Sequence, residues 1–373
     1  MTGSNGPLTG VRVVEFGGIG PGPFCGMLLC DLGAEVIRVD RPDYVPPYLQ
    51  LAQRGRLSVT LDLKSEAGRE ACLQLIERAE IMFEGFRPGV MERLGLGPDV
   101  ALKRNPRIVY GRMTGWGQEG PLAQAAGHDI TYLALAGALH AIGTRETPVP
   151  PMNLVADFGG GAMYLAFGML AALTHARATG QGQVVDAAMT DGVASLMTTI
   201  YGRLLGGAWR DERGVNLLDG GAPFYSVYKC ADGKWVAIGS LEPQFYALLR
   251  AKLELTEPCF DRQNDQLQWP AQRQRLTEIF ASQPRAHWEA ILSGTDVCFA
   301  PVLSLGETAA HSHNAARGTY IDVDGVIQPG PAPRFSVTPG KVRSPPPEVG
   351  AHTRQALQAW NVSAEIIDIV ARA

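Results

Sequence analysis

Residues 11–40 leave the chain few folds to choose from. A β-branched run, VRVVEF (Val11 to Phe16), is followed by the turn GGIGPGP, then by FCGMLLCDLG closing on Gly33, then by AEVIRVD ending at Asp40. Strand, glycine-rich turn, helix and strand in about thirty residues make a βαβ unit, the start of an open parallel sheet. The alternation continues. LSVTLDL reads as a further strand, and SEAGREACLQLIERA has helical periodicity with Ser65 as candidate N-cap. IMFEGF reads as a strand ending near Arg87, RIVYGRM as the next, and GQGQVVDAAM as another leading into a helix near Gly192. This pattern predicts an α/β, Rossmann-like layer over residues 1–200.

From about Gly220 the texture changes. FYSVYKC and KWVAIGS flank the dipeptide Asp232-Gly233, a hairpin signal. Helical patterns follow at Glu242–Leu253, Ala271–Ser282 and Arg285–Leu292, so residues 220–317 read as a smaller α+β domain reached through a linker, 201–219. Beyond residues 318–324, a second linker, proline and glycine become dense and predict an extended segment, closed by a helix in AEIIDIVARA.

A hydrophobic content of 46% with 19% charged residues is that of a globular protein. A net charge of -4 argues against nucleic acid as main partner, though not against a local basic patch for a small anion. The six cysteines show no CxxC or metal-ligand spacing. With no secretory signal they read as reduced thiols, and the expected location is cytoplasmic. The most apolar stretch, Ala162 to Leu173, is too short to span a bilayer and reads as a buried core helix. The terminal Ala-Arg-Ala does not match a peroxisomal Ser-Lys-Leu tail.

Two proton-carrying groups stand out. His128 lies in GHDITY, and Asp157 directly precedes Phe158 and three glycines before the apolar run. An aspartate there reads as a carboxylate at a helix N-terminus, whose dipole favours the charged form. The plain alternatives are an N-cap and a structural histidine. GGIGPGP invites a dinucleotide reading with Asp40 as ribose ligand. No GxGxxG register fits, however, because Pro23 or Cys25 falls at the third glycine, and Pro21 and Pro23 remove donors. A tight turn lining an acyl pocket fits better. Arg41, Lys64, Arg87 and Arg93 each follow an early element, where an open sheet presents its ligand crevice, and suit a phosphate-rich ligand.

Taken together, the stretches GAEVIRVDRP, TLDLK, FEGFRPGVMERLGLGP, YGRMTGWGQEGP, AGHDITY, HAIG, PVPPMNLVADFGGG, GQGQVVDAAM, LDGGAPFYSVYKCADGKWVAIGSLEPQFY and CFAPVL resemble the family III CoA-transferase (CaiB/BaiF) superfamily, and within it the α-methylacyl-CoA racemase branch. The resemblance covers most of residues 8–340. It implies a large Rossmann-like domain completed by 325–373, an inserted smaller domain, and an interlocked homodimer. It also implies acyl-CoA thioester chemistry with no metal and no cofactor, CoA being part of the substrate. By resemblance Arg41, Leu61, Asp62, Leu63, Lys64, Gly85, Phe86, Arg87 and Arg93 bind CoA. Gly127, His128, Asp129, Ile130, Thr131 and Tyr132 contact CoA and acyl group. His128 and Asp157 form the acid/base pair. Glu242, from the other subunit, supports the histidine, and Asp129 is a neighbouring acid.

A thioester makes its α-C–H acidic enough to give an enolate, and inversion needs one proton carrier on each face of that plane. The resemblance assigns His128 to the S face and Asp157 to the R face. Gly160 and Gly161, with a helix start behind them, read as candidate donors for the enolate oxygen. The expected reaction is interconversion of (R)- and (S)-2-methylacyl-CoA by 1,1-proton transfer. A family III CoA-transferase would instead use Asp157 as nucleophile and needs no histidine at 128. A CoA- or nucleotide-binding protein without catalysis needs neither group.

Overall fold

The computed structural model describes residues 6–45 and 50–371. The chain divides into two compact units. One comprises Met1–Ala136, Pro151–Met197 and Arg317–Ala373, the other Gly137–Pro150 and Thr198–Ala316. Neither expected linker behaves as one. Residues 201–219 cluster with the second unit, where helix Thr198–Leu205 begins the stretch and Asp219 accepts the N–H groups of Gly214 (2.9 Å) and Asn216 (2.8 Å). Residues 318–324 belong to the first unit, where Tyr320–Val323 pairs with Val326–Pro329 in an antiparallel hairpin that Arg54 holds through Gln328 Oε1 (2.9 Å) and the Pro329 carbonyl (2.7 Å). The turn of that hairpin, Asp324-Gly325, has both residues at positive φ (52° and 84°).

The first unit opens with β1 (Arg12–Phe16), α1 (Pro21–Asp31), β2 (Glu35–Asp40), β3 (Leu57–Thr60), α2 (Glu66–Arg78) and β4 (Ile81–Glu84). It continues with α3 (Val90–Arg93), α4 (Pro98–Arg104), β5 (Val109–Thr114) and α5 (Asp129–Leu135). After α6 (Ala138–Ala141), which belongs to the second unit, come a π-helical stretch over Leu154–Ala162, α7 (Met163–Thr179), β6 (Gln183–Ala188) and α8 (Met189–Leu196). The six strands form one parallel sheet in the order β3-β2-β1-β4-β5-β6. That is the doubly wound order, with its topological switch between β1 and β4.

Local chemistry explains the elements. Ser65 caps α2 by accepting the Gly68 N–H at 3.0 Å. α1 begins three residues earlier than FCGMLLCDLG suggests. Pro21 sits in its first turn, where a missing N–H costs nothing and the fixed φ is already helical. One face of the sheet packs Ile37, Leu61, Met82 and Tyr110 against Leu75 and Ile76 of α2 and Trp360.

The sheet also buries charge in ion pairs. Glu15 meets Arg56 at 3.0 Å, Asp31 meets Arg54, and Asp40 takes Arg38 Nε at 2.9 Å together with Ser58 Oγ at 2.8 Å. Asp40 is therefore an ion-paired structural acid, held through Oδ2 and buried at 3% exposure.

The apolar stretch at Ala162 is longer than expected. The π turn runs straight into α7, so one helix spans Leu154–Thr179, 26 residues with mean hydropathy 1.4 over its most apolar window. Among the described residues it is the one helix long and apolar enough to cross a membrane. It packs on β5 and β6 through Leu165, Met169 and Leu173. Its outer side leaves Met163 and Phe167 exposed, so it is a half-covered helix and not a wholly buried one.

The second unit carries an antiparallel sheet, β7 (Tyr225–Lys229), β8 (Trp235–Gly239) and β9 (Phe299–Val302), with the expected turn at Asp232-Gly233. Helices Pro243–Lys252, Trp269–Ala281 and Arg285–Leu292 cover it, and Phe224, Tyr246, Trp269, Phe280 and Trp288 fill the core. Segment Gly137–Pro150 is tied here by Arg213, which donates to the carbonyls of His140 and Thr144, both at 2.5 Å.

α8 and the π-helical stretch cross so closely that a Cβ on Gly192 would overlap the Gly160 carbonyl. Neither partner is a flexible side chain, so an added methyl must push two backbones apart. Gly192→Ala is expected to cost about 1–3 kcal/mol, read as a drop of several degrees in melting temperature by calorimetry.

Candidate active site

A cavity of about 740 Å³ opens at the carboxyl ends of the strands in the first unit. Its wall is made by the turns after β1 (Gly18 to Gly22), β4 (Gly85 to Pro88) and β5 (Gly115, Trp116), by the start of α5 and by the π-helical stretch. The first two of these turns flank the switch point, where a doubly wound sheet leaves a crevice for ligands. GGIGPGP is thus a wall of this cavity, as a tight turn lining a pocket should be.

Asp157 does not precede a helix; it lies inside the π-helical stretch. It is half-buried, and its carboxyl is pushed above the ordinary aspartate range. Burial is the largest cause, opposed by a hydrogen bond from Asn153, with Asp129 raising it further and His128 lowering it. The dipole-stabilised, depressed carboxylate expected from the sequence is therefore replaced by a raised one. Gly20 (φ 64°) packs directly against it, since a Cβ there would lie 3.0 Å from Oδ2. Asn153 Nδ2 donates to Oδ2 at 3.2 Å. Gly160 and Gly161 are interior to the same stretch, whose N–H groups bond carbonyls five residues back. Their role is close packing on α8 and α1 and not donation to an enolate.

His128 is the N-cap of α5, exposed on the same cavity, with its N–H donating to Thr131 Oγ1 at 3.0 Å. Its neighbour Asp129 is turned inward and buried. One oxygen, Oδ2, accepts the backbone N–H of both Ala156 (3.0 Å) and Asp157 (2.8 Å). Asp129 therefore does not face the cavity; it binds the start of α5 to the turn that carries Asp157. Tyr132 lines the cavity edge-on to Trp116, ring centroids 4.8 Å apart. Gly115 and Gly127 admit its ring, for a Cβ on either would run into it. Burial raises the Tyr132 hydroxyl, Asp157 adds to the shift and Arg87 opposes it, so these three groups share one electrostatic field.

Of the other positions read as CoA-binding, Gly85, Phe86, Arg87 and Gly127 line the cavity. Arg41, Asp62, Leu63, Lys64 and Arg93 do not, but each follows the carboxyl end of β2, β3 or β4 along the same rim. Arg41 and Arg93 are exposed, and Arg41 stands 3.8 Å from Asp43. Leu61 is a core residue at 1% exposure and can offer a ligand only its backbone. Ile130 is exposed on α5, and Thr131 is taken up by His128's backbone. Glu242 belongs to the second unit, exposed at the N-cap of helix Pro243–Lys252. Among the described residues no three His, Cys, Asp or Glu side chains converge as a metal site.

The comparison that decides the family is a match of residues 8–353 to the model for CoA-transferase family III. The chain belongs to CoA-transferase family III. It is 44% identical to the α-methylacyl-CoA racemase of Mus musculus and 42% identical to that of Homo sapiens, each alignment covering 96% of this chain and 95% of the relative. Among solved structures, a CaiB/BaiF family protein from Brucella suis superposes with a TM-score of 0.82 at 26% identity, covering 96% of this chain and all of that one. The family III fold therefore accounts for the parallel six-stranded sheet.

Two groups at this family III site escaped the sequence reading. Asn153 precedes Asp157 by four residues, a spacing that puts both on one helical face once a helix is known to start there. Gly20 had only its place in a glycine-rich turn. Because the Asn153 hydrogen bond stabilises the ionised form of Asp157, removing it leaves burial and Asp129 less opposed. Asn153→Ala is expected to move the Asp157 titration to higher pH, read from its side-chain carboxyl resonance by carbon NMR.

Proposed function

We propose that this chain is a 2-methylacyl-CoA racemase (epimerase), interconverting (R)- and (S)-2-methylacyl-CoA thioesters by 1,1-proton transfer through an enolate. The observation that carries the reading is that His128 and Asp157 line one cavity, with His128 near enough to pull the Asp157 carboxyl down. The similarity to the mouse and human racemases over nearly the whole chain supports the same reaction.

The α-carbon lies between the two groups. One removes its proton, the thioester carbonyl takes up the charge, and the other returns a proton from the opposite face. His128 serves the S face, supported by Glu242 of a partner subunit, and Asp157 serves the R face. A raised Asp157 suits this work, because a carboxyl nearer the working pH both releases and takes up the proton more readily than an ordinary one. Asn153 keeps it from rising so far that the basic form is lost. In the first turn of α5 the Thr131 and Tyr132 N–H groups go to the His128 carbonyl, and those of Asp129 and Ile130, which no carbonyl of that helix can take, suit the enolate oxygen.

Arg41, Lys64, Arg87 and Arg93 carry the phosphates of CoA along the strand ends. CoA is part of the substrate, and no other cofactor enters the scheme. A homodimer completes the site. Exposed Leu135, Leu154, Met163, Phe167 and Leu196 support an apolar subunit interface on the first unit. The competing family reading, a CoA-transferase, makes Asp157 the nucleophile and gives His128 no task.

Exchange of deuterium from D2O into the α-position of a 2-methylacyl-CoA, with no acceptor acid present, is the expected activity across a panel of branched thioesters. Asp157→Asn and His128→Ala are each expected to slow it by about a hundredfold or more while CoA still binds. Transfer of CoA to a free acid, with an acyl-enzyme trapped by hydroxylamine and no exchange, marks the transferase instead. Phe167→Glu is expected to shift the protein towards monomer in sedimentation velocity.

A further inference from the structure

The last residue of β4, Glu84, is buried at 1% exposure one residue before the turn Gly85–Arg87 that lines the cavity. Both carboxylate oxygens are engaged. Oε2 accepts the backbone N–H of Phe86 at 2.7 Å, and Oε1 accepts Arg112 Nε at 3.1 Å. Arg112 stands beside Glu84 in the register of β5, and its far end donates to both oxygens of Glu92 on α3, at 2.9 and 3.3 Å. A carboxylate–guanidinium–carboxylate chain thus fastens two separate pieces of backbone, the turn carrying Arg87 and the short helix ending in Arg93.

The sheet itself does not require this chain, because β4 and β5 pair through their backbones. A buried charge that removes no more apolar surface than a methionine would is a poor stabiliser of a fold, but it is a good holder of geometry.

We propose that Glu84 is a positioning residue for CoA, fixing the Phe86–Arg87 turn and, through Arg112 and Glu92, the α3 end, so that Arg87 and Arg93 meet the anionic groups of one bound CoA. This rests on the acyl-CoA reading above and adds to it which buried group sets the grip on the substrate.

The grip is sensitive to pH. Burial pushes Glu84 up to about 7, with the Phe86 N–H and Arg112 pulling it down and Glu92 pushing it up. Arg112 and Tyr110 face it from β5, Glu92 from α3, and the Phe86 N–H from its own turn. Above pH 7 the carboxylate is ionised and the chain of ion pairs is complete. As the pH falls through 7 the carboxyl takes a proton, Arg112 loses one of its two partners and the Phe86 bond loses its charge assistance. Affinity for CoA is therefore greatest above neutrality and weakens below it.

The test is calorimetric titration of the full chain with CoA itself on both sides of pH 7, run beside the α-deuterium exchange assay. Glu84→Gln is expected to weaken CoA about tenfold above pH 7, to raise KM by the same factor with kcat within about twofold, and to flatten the pH dependence of binding. Wild-type affinity and pH profile in that variant, or a fall in kcat at unchanged KM, overturns the proposal. If thermal melts show that Glu84→Gln does not fold, Glu92→Gln at the exposed end of the network carries the test. It is expected to raise KM severalfold, and an unchanged CoA affinity there overturns the proposal equally. Exchange that is absent from the wild type, while CoA binding keeps its dependence on Glu84, removes the racemase reading and supports this one.

Discussion

The site depends on one carboxylate oxygen. Asp129 Oδ2 takes the N–H groups of Ala156 and Asp157, two donors from the beginning of a helical stretch, where the backbone has no carbonyls of its own to offer. Both bonds are shielded from water by the burial of Asp129, which strengthens them. Their effect is geometric. Asp129 is the first residue of α5, and His128 is its cap, so a bond from Asp129 to the Asp157 backbone fixes the carboxyl relative to the imidazole. Glycine does the same for packing. Gly20 lets α1 reach the Asp157 carboxyl, and Gly160 and Gly161 let α8 and α1 reach the backbone behind it.

Beneath that, the doubly wound sheet supplies a rim at which residues distant in sequence meet. The order β3-β2-β1-β4-β5-β6 parts the crossovers between β1 and β4, and the turns after those strands become neighbouring walls. The buried Glu15–Arg56 ion pair, the Ser58–Asp40 hydrogen bond and the donation from Arg56 to the Pro23 carbonyl tie β1, β2, β3 and α1 together beneath that rim.

The fold was legible where local chemistry is unambiguous. The first βαβ unit, the Ser65 cap and the Asp232-Gly233 turn each follow from a few residues, and all three stand as read. The second hairpin carries the same Asp-Gly signal at 324–325, but the proline and glycine around it read as extended chain. The site was less legible. Spacing alone offers no reason for His128 and Asp157 to meet; the resemblance suggested it, and one cavity holds both. The direction of the Asp157 shift was not legible, because a position before Phe158 and three glycines looks like a helix start. The π turn instead places it within the helix, half-buried beside another acid. Asp40 sat where a ribose ligand belongs, but its partners Arg38 and Ser58 are visible only in three dimensions.

The chain quits the first unit at Ala136, just after the helix that His128 caps, and re-enters at Pro151, just before the turn that holds Asp157. What lies between is gripped by Arg213 in the second unit. Natural variation therefore has a handle on this pair that leaves both side chains and their immediate neighbours untouched. Lengthening, shortening or loosening one loop would bear on the spacing of His128 and Asp157 at once.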